Sequence, residues 1–338
     1  MGRVTIKDIA RLAGVSVTTV SRALNNAPEI HGETRERVLR VCREQGYRAN
    51  LLARSLSSSR SGLLGLVVPD MANPFHAALA LNLELCAQAE GYQVMVCSSG
   101  LENDGTEGLF QLLLSQRVDG VLLTSSGGGA YALARRCHGE TPCVLMGACA
   151  PEDSPLRANT VSVDNFAGGR MAAEYLFRLG HRDAVYLGLR EGSATHALRH
   201  RGFLSAAEEL GMRVRTAVNP LPASTIESGC RMARAFLAEP FSQTAVFAAS
   251  DAVALGFIQV ADELGIPIPE RLSILGFDNI EYAALPNIRL TTLSQNTPLL
   301  AQAALGLLLR MIERGDGGGY ARHIITPSLV ERATCRAL

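Results

Sequence analysis

Thr5-Ile-Lys-Asp-Ile-Ala-Arg-Leu-Ala-Gly-Val-Ser-Val-Thr-Thr-Val-Ser-Arg-Ala-Leu-Asn25 has the pattern of two short helices joined by a tight turn. Thr5 and Asp8 match a capping box at the start of the first helix, and Ser16 is a favourable cap for the second. Gly14 ends the first helix because glycine adopts the left-handed backbone of such a turn at little cost. The second helix turns Val20, Ala23 and Leu24 inward, and it leaves four residues outward: Val17, Thr18, Ser21 and Arg22.

These two helices predict a DNA-binding headpiece. A short helix that carries small polar side chains and one arginine can lie in a major groove. Residues 1–60 contain eleven basic and five acidic side chains, so they carry +6, and the rest of this neutral chain carries −6. A basic head on an acidic body favours a head that contacts phosphate. A third helix is predicted over Thr34–Gln45, with Val38, Leu39 and Cys42 facing the small core.

The bulk composition favours a cytoplasmic protein of two or three units. The chain has 338 residues, of which 47% are hydrophobic. No apolar run is long enough to span a membrane, and the N-terminus lacks the apolar core of a signal peptide. The eight cysteines are scattered without CxxC spacing. This spacing predicts buried free thiols rather than disulfides or a zinc site, and we expect no metal and no cofactor.

The rest of the chain predicts an α/β body joined to the headpiece by a polar linker. The serine-rich stretch from Tyr47 to Gly62 contains one short helical turn over Asn50–Leu56. From Leu63 onward, apolar strand-like runs alternate with amphipathic helices, which indicates parallel sheets covered by helices. Five strands on each side of about residue 160 indicate two similar lobes.

A ligand cleft is predicted between these lobes, because ligands of open parallel sheets lie at the carboxyl ends of the strands. If the lobes face each other, these ends bring polar side chains and one aromatic surface together: Asn73, Arg199, Asp251, Asp278 and Phe75. Carboxylates with an arginine suit a ligand rich in hydroxyl groups. The alternative is that Asp251 caps the helix after it and that Asp278 serves a turn.

The body does not have the motifs of the common α/β enzymes. Neither GxSxG nor the phosphate-binding GxxxxGK[ST] is present, and the two glycine runs at 127–129 and 317–319 have no phosphate fingerprint around them. We therefore interpret the chain as a protein that is not an enzyme and has no catalytic residues.

Long motifs throughout the chain resemble the LacI/GalR family of bacterial transcription regulators. The headpiece contributes IKDIARLAGVSVTTVSRALNN, TRERVLRVCREQGYRAN and LLARSL. The body contributes GLVVPDMANPFHAAL, VSVDNFAGGRMAAEYLFRLGHR and FAASDAVALGFIQVADELGIPIPERLSILGFDNIEYA. The resemblance implies a helix-turn-helix headpiece (1–49), a hinge helix and linker (50–61), and a body (62–338) that binds an effector and dimerises. The body would resemble periplasmic binding proteins, with lobe one at about 62–160 and 291–320 and lobe two at about 161–290 and 321–338.

The resemblance also implies a homodimer whose two headpieces read a pseudopalindromic operator. The base-reading positions match Val17, Thr18 and Arg22. The hinge helix matches Asn50–Leu56, where Leu56 would enter a minor-groove step and Ala53 would allow close helix contact. The full set of expected DNA-binding residues is Thr5, Ser16, Val17, Thr18, Thr19, Ser21, Arg22, Asn25, Asn50, Ala53 and Leu56. No leucine heptads of a tetramerising tail are found near Leu338, which favours a dimer.

The expected effector-binding residues are Asn73, Phe75, Arg199, Asp251 and Asp278. The resemblance favours a repressor of a carbohydrate-utilisation operon. Two features depart from sugar-binding members: the chain has no Trp, and Gly147 stands where some members place a polar ligand residue. Local positive charge from His196, Arg199, His200 and Arg201 leaves a phosphorylated or acidic effector open, and a nucleobase is open as well. Effector identity, operator sequence and the direction of control do not follow from the sequence.

Overall fold

The computed structural model describes two compact units, Met1–Ser61 and Gly62–Leu338. The residues described are 4–24, 29–47, 60–100, 106–125, 134, 137, 141–147, 158–190, 192–221, 223–314 and 319–338. Within these ranges, no helix is both long and apolar enough to cross a membrane. The predicted hinge at Asn50, Ala53 and Leu56 and the predicted contact at Asn25 lie outside the described residues.

The headpiece consists of three helices around one small core. They are α1 (Ile6–Ala13), α2 (Val17–Leu24) and α3 (Gly32–Glu44). Their buried side chains form one cluster: Ile9, Ala10, Ala13, Val20, Ala23, Val38 and Cys42. The prediction that Leu39 faces this core is wrong, since Leu39 is 39% exposed. The buried stripe of α3 is set by Val38 and Cys42, which are four residues apart and share one helix face.

The first lobe of the body is a fully parallel sheet in the order β11-β5-β4-β3-β1-β2. Its strands are β1 (Leu63–Val68), β2 (Gln93–Ser98), β3 (Gly120–Ser125), β4 (Cys143–Gly147), β5 (Thr160–Val163) and β11 (Arg322–Ile325). One face is covered by α4 (Pro74–Ala89) and α10 (Thr297–Arg314), and the other by α5 (Thr106–Ser115). Because both faces are covered, β1 and β4 are almost continuously apolar.

The second lobe is a sheet in the order β12-β10-β9-β8-β6-β7, in which only β10 and β12 are antiparallel. Its strands are β6 (Asp183–Leu189), β7 (Arg213–Val218), β8 (Ala245–Ala248), β9 (Ser273–Asp278), β10 (Thr291–Ser294) and β12 (Ser328–Val330). The covering helices are α6 (Asn165–Arg178) and α7 (Ala194–Glu209) on one face, and α8 (Ile226–Leu237) and α9 (Asp251–Glu263) on the other. A short 3₁₀ helix, Glu281–Ala284, follows β9.

The lobe boundaries differ from those expected from the sequence, and each sheet has six strands rather than five. Thr160–Val163 and Arg322–Ile325 pair with each other in the first lobe, whereas Thr291–Ser294 pairs with β9 in the second. The chain therefore passes between the lobes three times: from β5 to α6, from β10 to α10, and from β11 to β12. The pairing of β5 with β11 joins segments that are far apart in the chain, and local periodicity does not indicate which strands pair.

Candidate functional site

Local hydrogen bonds fix the start and the end of α1. Thr5 Oγ1 accepts from the Asp8 backbone N–H, and an Asp8 carboxylate oxygen accepts from the Thr5 N–H at 3.0 Å. This is the capping box expected from the sequence. Asp8 also accepts from the Thr5 hydroxyl, and these bonds lower the pKa of the Asp8 carboxyl. Gly14 ends the helix at φ 66°, in the left-handed region that glycine adopts most easily.

The outer face of α2 presents the side chains that the sequence predicted for DNA contact. Ser16 Oγ accepts from the Thr19 N–H at 3.1 Å, as a cap does at a helix start. Val17, Thr18 and Arg22 are exposed, as are Thr5 and Ser16. Thr19 and Ser21 are half-buried. The headpiece therefore holds an uncovered helix face with a valine, a threonine and an arginine side by side, a set that can contact base edges.

The body contains a cavity of about 130 Å³ between its lobes. Its walls include Asn73, Phe75 and Thr124 from the first lobe, and Arg199 and Asp278 from the second. The carboxyl ends of strands from both sheets meet here, which is where open α/β sheets bind ligands. Of the five predicted effector-binding residues, the structure brings four to this cavity: Asn73, Phe75, Arg199 and Asp278.

Two arginines, Arg190 and Arg199, line the cavity, and Arg199 is buried, with only 3% of the residue exposed. Its Nη2 donates to Asn165 Oδ1 at 2.7 Å, its Nη1 donates to the Ala249 carbonyl, and its guanidinium carbon lies 3.3 Å from the centre of the Phe277 ring. Burial lowers the pKa of Arg199, whereas the charge of Asp278 acts in the opposite direction. Nε of Arg199 is buried and has no hydrogen-bond partner among the residues that the structure describes. Because an unpaired buried N–H is unfavourable, a ligand oxygen that accepts a hydrogen bond from this Nε would stabilise the complex.

Asp278 is the buried carboxyl group of the cavity, at the last position of β9. Burial raises the pKa of its carboxyl, the charge of Arg199 lowers it, and the like charge of Asp251 raises it. Oδ1 accepts from Gln295 Nε2 at 2.5 Å. Asp278 and Asn279 both have positive φ, 130° and 58°, a backbone that non-glycine residues rarely adopt. Such strain is found at sites where side-chain placement matters more than local stability.

Asp251 does not line the cavity, contrary to the prediction from its position after a strand. It is the first residue of α9 and has no exposed surface. One carboxylate oxygen accepts from Thr292 Oγ1 at 2.5 Å and the other from the Ile280 N–H at 2.9 Å. The alternative reading, a helix cap, also needs correction, since the side chain that caps α9 is Ser250. Asp251 instead ties the start of α9 to β10 and to the segment after β9.

Asn73 and Phe75 act at the start of α4. Asn73 Oδ1 accepts from the Phe75 N–H at 3.0 Å, so this asparagine is the cap of the helix. Phe75 packs against the core between α4 and the first sheet, and also against the α8–α9 core of the second lobe. One aromatic side chain thus contacts the apolar interior of both lobes beside the cavity.

Two cavity residues that sequence reasoning missed lie where the chain crosses between the lobes. Asn165 is the first residue of α6, where the chain has just crossed from β5 to the second lobe. Its Oδ1 accepts from Arg199, and its Nδ2 donates to the Val163 carbonyl at 3.0 Å. Gln295 donates to Asp278 and lies between β10 and α10. Their position just after a parallel strand was the available signal, since it is the signal that identified Asp278.

Two cavity histidines, His76 and His196, were not predicted as ligand contacts. Burial lowers the pKa of both rings, that of His196 to about 3, so both are neutral near pH 7. His200 faces away from the cavity, with Nε2 at 2.8 Å from Thr216 Oγ1, and Arg201 is exposed. Of the four residues expected to supply local positive charge, Arg199 alone brings a cation to the cavity, and Arg190, which was not predicted, also lines it. Gly147 does line the cavity, at φ 119°.

Comparison with known proteins identifies the family. Residues 5–50 match the model of the bacterial regulatory proteins of the lacI family, and residues 173–335 match a periplasmic binding protein-like domain. The HTH-type transcriptional repressor CytR of Escherichia coli is 32% identical over 335 residues, 99% of this chain and 97% of CytR. The chain belongs to the LacI family. It is a DNA-binding transcriptional regulator and not an enzyme.

Solved structures of LacI-family proteins share its fold. The Lac repressor dimer bound to operator and the anti-inducer ONPF has a TM-score of 0.86 and 26% identity, over 99% of this chain and 100% of that chain. The complex of the transcriptional regulator CelR with cellobiose has a TM-score of 0.71 and 28% identity, over 98% and 100% of the two chains. The predicted fold, a helical headpiece with a two-lobed α/β body, is confirmed.

Proposed function

We propose that this LacI-family regulator is a repressor that binds a pseudopalindromic operator as a homodimer, and that a neutral, hydroxyl-rich molecule in the interlobe cavity changes its operator affinity. The observation that carries the effector class is that a guanidinium group, Arg199, and a carboxyl group, Asp278, line one interlobe cavity. A guanidinium donates to hydroxyl oxygens and a carboxylate accepts from hydroxyl protons, so the two suit a sugar or sugar derivative. CelR, whose complex holds cellobiose, supports the same class.

The crossovers supply a route from the cavity to the relative position of the lobes. Arg199 bonds Asn165 beside the first crossover, and Asp278 bonds Gln295 beside the second. A ligand that competes for either charged group alters the hydrogen bonds of a segment where the chain changes lobe. The change that the ligand causes in operator affinity cannot exceed the ratio of its affinities for the two lobe arrangements.

The second candidate effector is a nucleobase or nucleoside. Phe75 places an aromatic ring at the cavity wall, and aromatic rings stack on planar ligands. A phosphorylated or acidic effector stays open as well, because Arg190 lines the cavity together with Arg199, although His196 is neutral and His200 and Arg201 do not line it.

The test measures operator binding and effector response in the same protein. An operator is selected from random DNA with the full chain, and fluorescence anisotropy then gives its affinity with and without neutral sugars, sugar phosphates and nucleosides. We expect a two-fold symmetric operator and a response to a neutral sugar. An unresponsive protein across the sugars would contradict the effector class, and a response confined to nucleosides would favour the second candidate.

Two variants of one helix assign the response to the cavity. Arg199→Gln removes the buried cation, and Arg201→Gln removes an exposed cation two residues away on α7. We expect Arg199→Gln to lose the effector response while it still binds the operator, and Arg201→Gln to behave as the parent. Equal loss in both variants would show that the response does not depend on the cavity.

A further inference from the structure

His76 and His196 share one hydrogen-bond pattern. Nδ1 of His76 lies 2.9 Å from the Asp70 carbonyl oxygen, and Nδ1 of His196 lies 3.1 Å from the Gly188 carbonyl oxygen. A carbonyl oxygen only accepts, so each Nδ1 carries the ring proton. Because both rings are buried and neutral, each Nε2 is left with an unshared electron pair and no proton.

Both Nε2 atoms are open to a ligand. Among the residues that the structure describes, neither atom has a hydrogen-bond partner, and both rings line the cavity. His76 lies in the first turn of α4 in the first lobe, and His196 in the first turn of α7 in the second. The cavity thus has one imidazole acceptor on each of its two walls.

We propose that His76 and His196 select the effector as a pair of hydrogen-bond acceptors, one on each lobe, that require hydroxyl or N–H donors at two positions of the ligand. The inference rests on the proposed function, since it needs the interlobe cavity to be the effector site. A ligand that donates to both rings links the lobes directly. A phosphate or carboxylate oxygen at either position is excluded, because two acceptors without a proton repel and the ligand loses its bonds to water.

Asn substitutions test the Nε2 acceptor of each histidine without removing the N–H at Nδ1. His76→Asn and His196→Asn keep an N–H near the position of Nδ1, which can still donate to the backbone carbonyl, but they have no acceptor where Nε2 lies. His200→Asn is the matched control on α7, because His200 bonds Thr216 and does not line the cavity. Unfolding temperatures of all three variants establish that they fold.

The ligands are D-ribose, D-galactose, cellobiose and adenosine, with calorimetric affinities for the wild-type chain. The tightest of them is then compared with its mono-O-methyl derivatives, which keep each oxygen as an acceptor but lose its proton. We expect each cavity variant to bind the parent ligand about 3- to 10-fold more weakly, the size of one hydrogen bond. We also expect methylation at one position to weaken wild-type binding but not that of the matching variant.

The outcomes distinguish this inference from the proposed function. If no ligand of the panel binds the wild-type chain, the proposed effector class is wrong and the inference falls with it. If a ligand binds but His76→Asn and His196→Asn bind it as His200→Asn does, only the inference is overturned. Nitrogen chemical shifts of the two rings in the unliganded wild-type chain give a second test that needs no variant, and protonated Nε2 atoms would overturn the premise.

Discussion

The contact between α6 and α7 depends on glycine, and Gly202→Ala tests how strongly. A Cβ at Gly202 would lie 2.0 Å from the Phe166 carbonyl oxygen and 2.8 Å from its carbonyl carbon. On the facing helix, a Cβ at Gly169 would lie 2.0 Å from the Arg199 carbonyl oxygen. Both obstacles are backbone atoms, which do not rotate away as a side chain does. A methyl group at Gly202 therefore requires the helices to separate.

The magnitude follows from the distance needed. Moving the Phe166 oxygen from 2.0 Å to an ordinary contact of 3.4 Å separates the backbones by about 1.4 Å. That shift opens the buried core between the helices and the sheet, where Ala172, Phe203 and Ala206 have no exposed surface. Overpacking typically costs 1–3 kcal/mol, and here the rigid backbone places the loss of unfolding free energy at about 3 kcal/mol. The expected decrease in melting temperature is about 4–5 °C, because the unfolding entropy is about 2.1 cal/mol/K per residue and the chain is long.

Gly306→Ala is the matched control, because Gly306 lies inside α10 with only Arg310 Nη1 near its added Cβ, at 3.5 Å. Alanine there gains helix propensity, so we expect stability to rise by up to about 1 kcal/mol. Urea unfolding of the wild-type chain and both variants measures the two effects, which have opposite signs. A Gly202→Ala protein as stable as Gly306→Ala would refute the argument that α6 and α7 need direct backbone contact.

Three further predictions concern single interactions. Thr5→Ala removes the capping box with Asp8 and should destabilise α1 by about 1 kcal/mol, seen as faster hydrogen exchange of its amides; unchanged exchange would argue against the cap. Thr292→Val removes a donor to the buried Asp251 carboxylate and should lower the unfolding free energy by about 1.5–3 kcal/mol in urea, so wild-type stability would contradict it. The unfolded chain takes up a proton on His196 below about pH 6.5, whereas the folded chain does so only near pH 3, so stability should fall as the pH drops between these values. His196→Asn should lack that part of the slope, and parallel pH profiles for the two proteins would show that His196 is not buried as a neutral ring.

The headpiece could be predicted almost completely, because its signals are local. The Thr5–Asp8 box, Gly14 and the Ser16 cap each act within a few residues, and each is found as expected. The exception is Leu39, which lies next to Val38 in sequence but about 100° around the helix from it. Apolar character alone did not determine which face of α3 is buried.

The lobe boundaries could not be predicted, because they depend on which strands pair, and local sequence patterns do not determine that. β10 and β11 are both short strands near the end of the chain, but one pairs with β9 and the other with β5. Nothing within either strand distinguishes these partners. The same limit applies to Asp251. The sequence correctly placed Asp251 just after a strand, but its carboxylate accepts from Thr292 and from the Ile280 N–H and does not line the cavity.

The polar groups of the cavity explain why the proposed ligand should bind through hydroxyl groups rather than through apolar contact. Within the described part of the chain, the buried Nε of Arg199 and the Nε2 acceptors of His76 and His196 have no hydrogen-bond partner. Burial and the like charge of Asp251 also raise the pKa of Asp278. A hydroxyl that pairs with one of these groups makes its hydrogen bond inside a cavity shielded from bulk solvent, where such a bond is stronger than at the surface. Replacing a ligand hydroxyl by hydrogen leaves the group unpaired again, and the loss in affinity should therefore exceed the value of a solvent-exposed hydrogen bond.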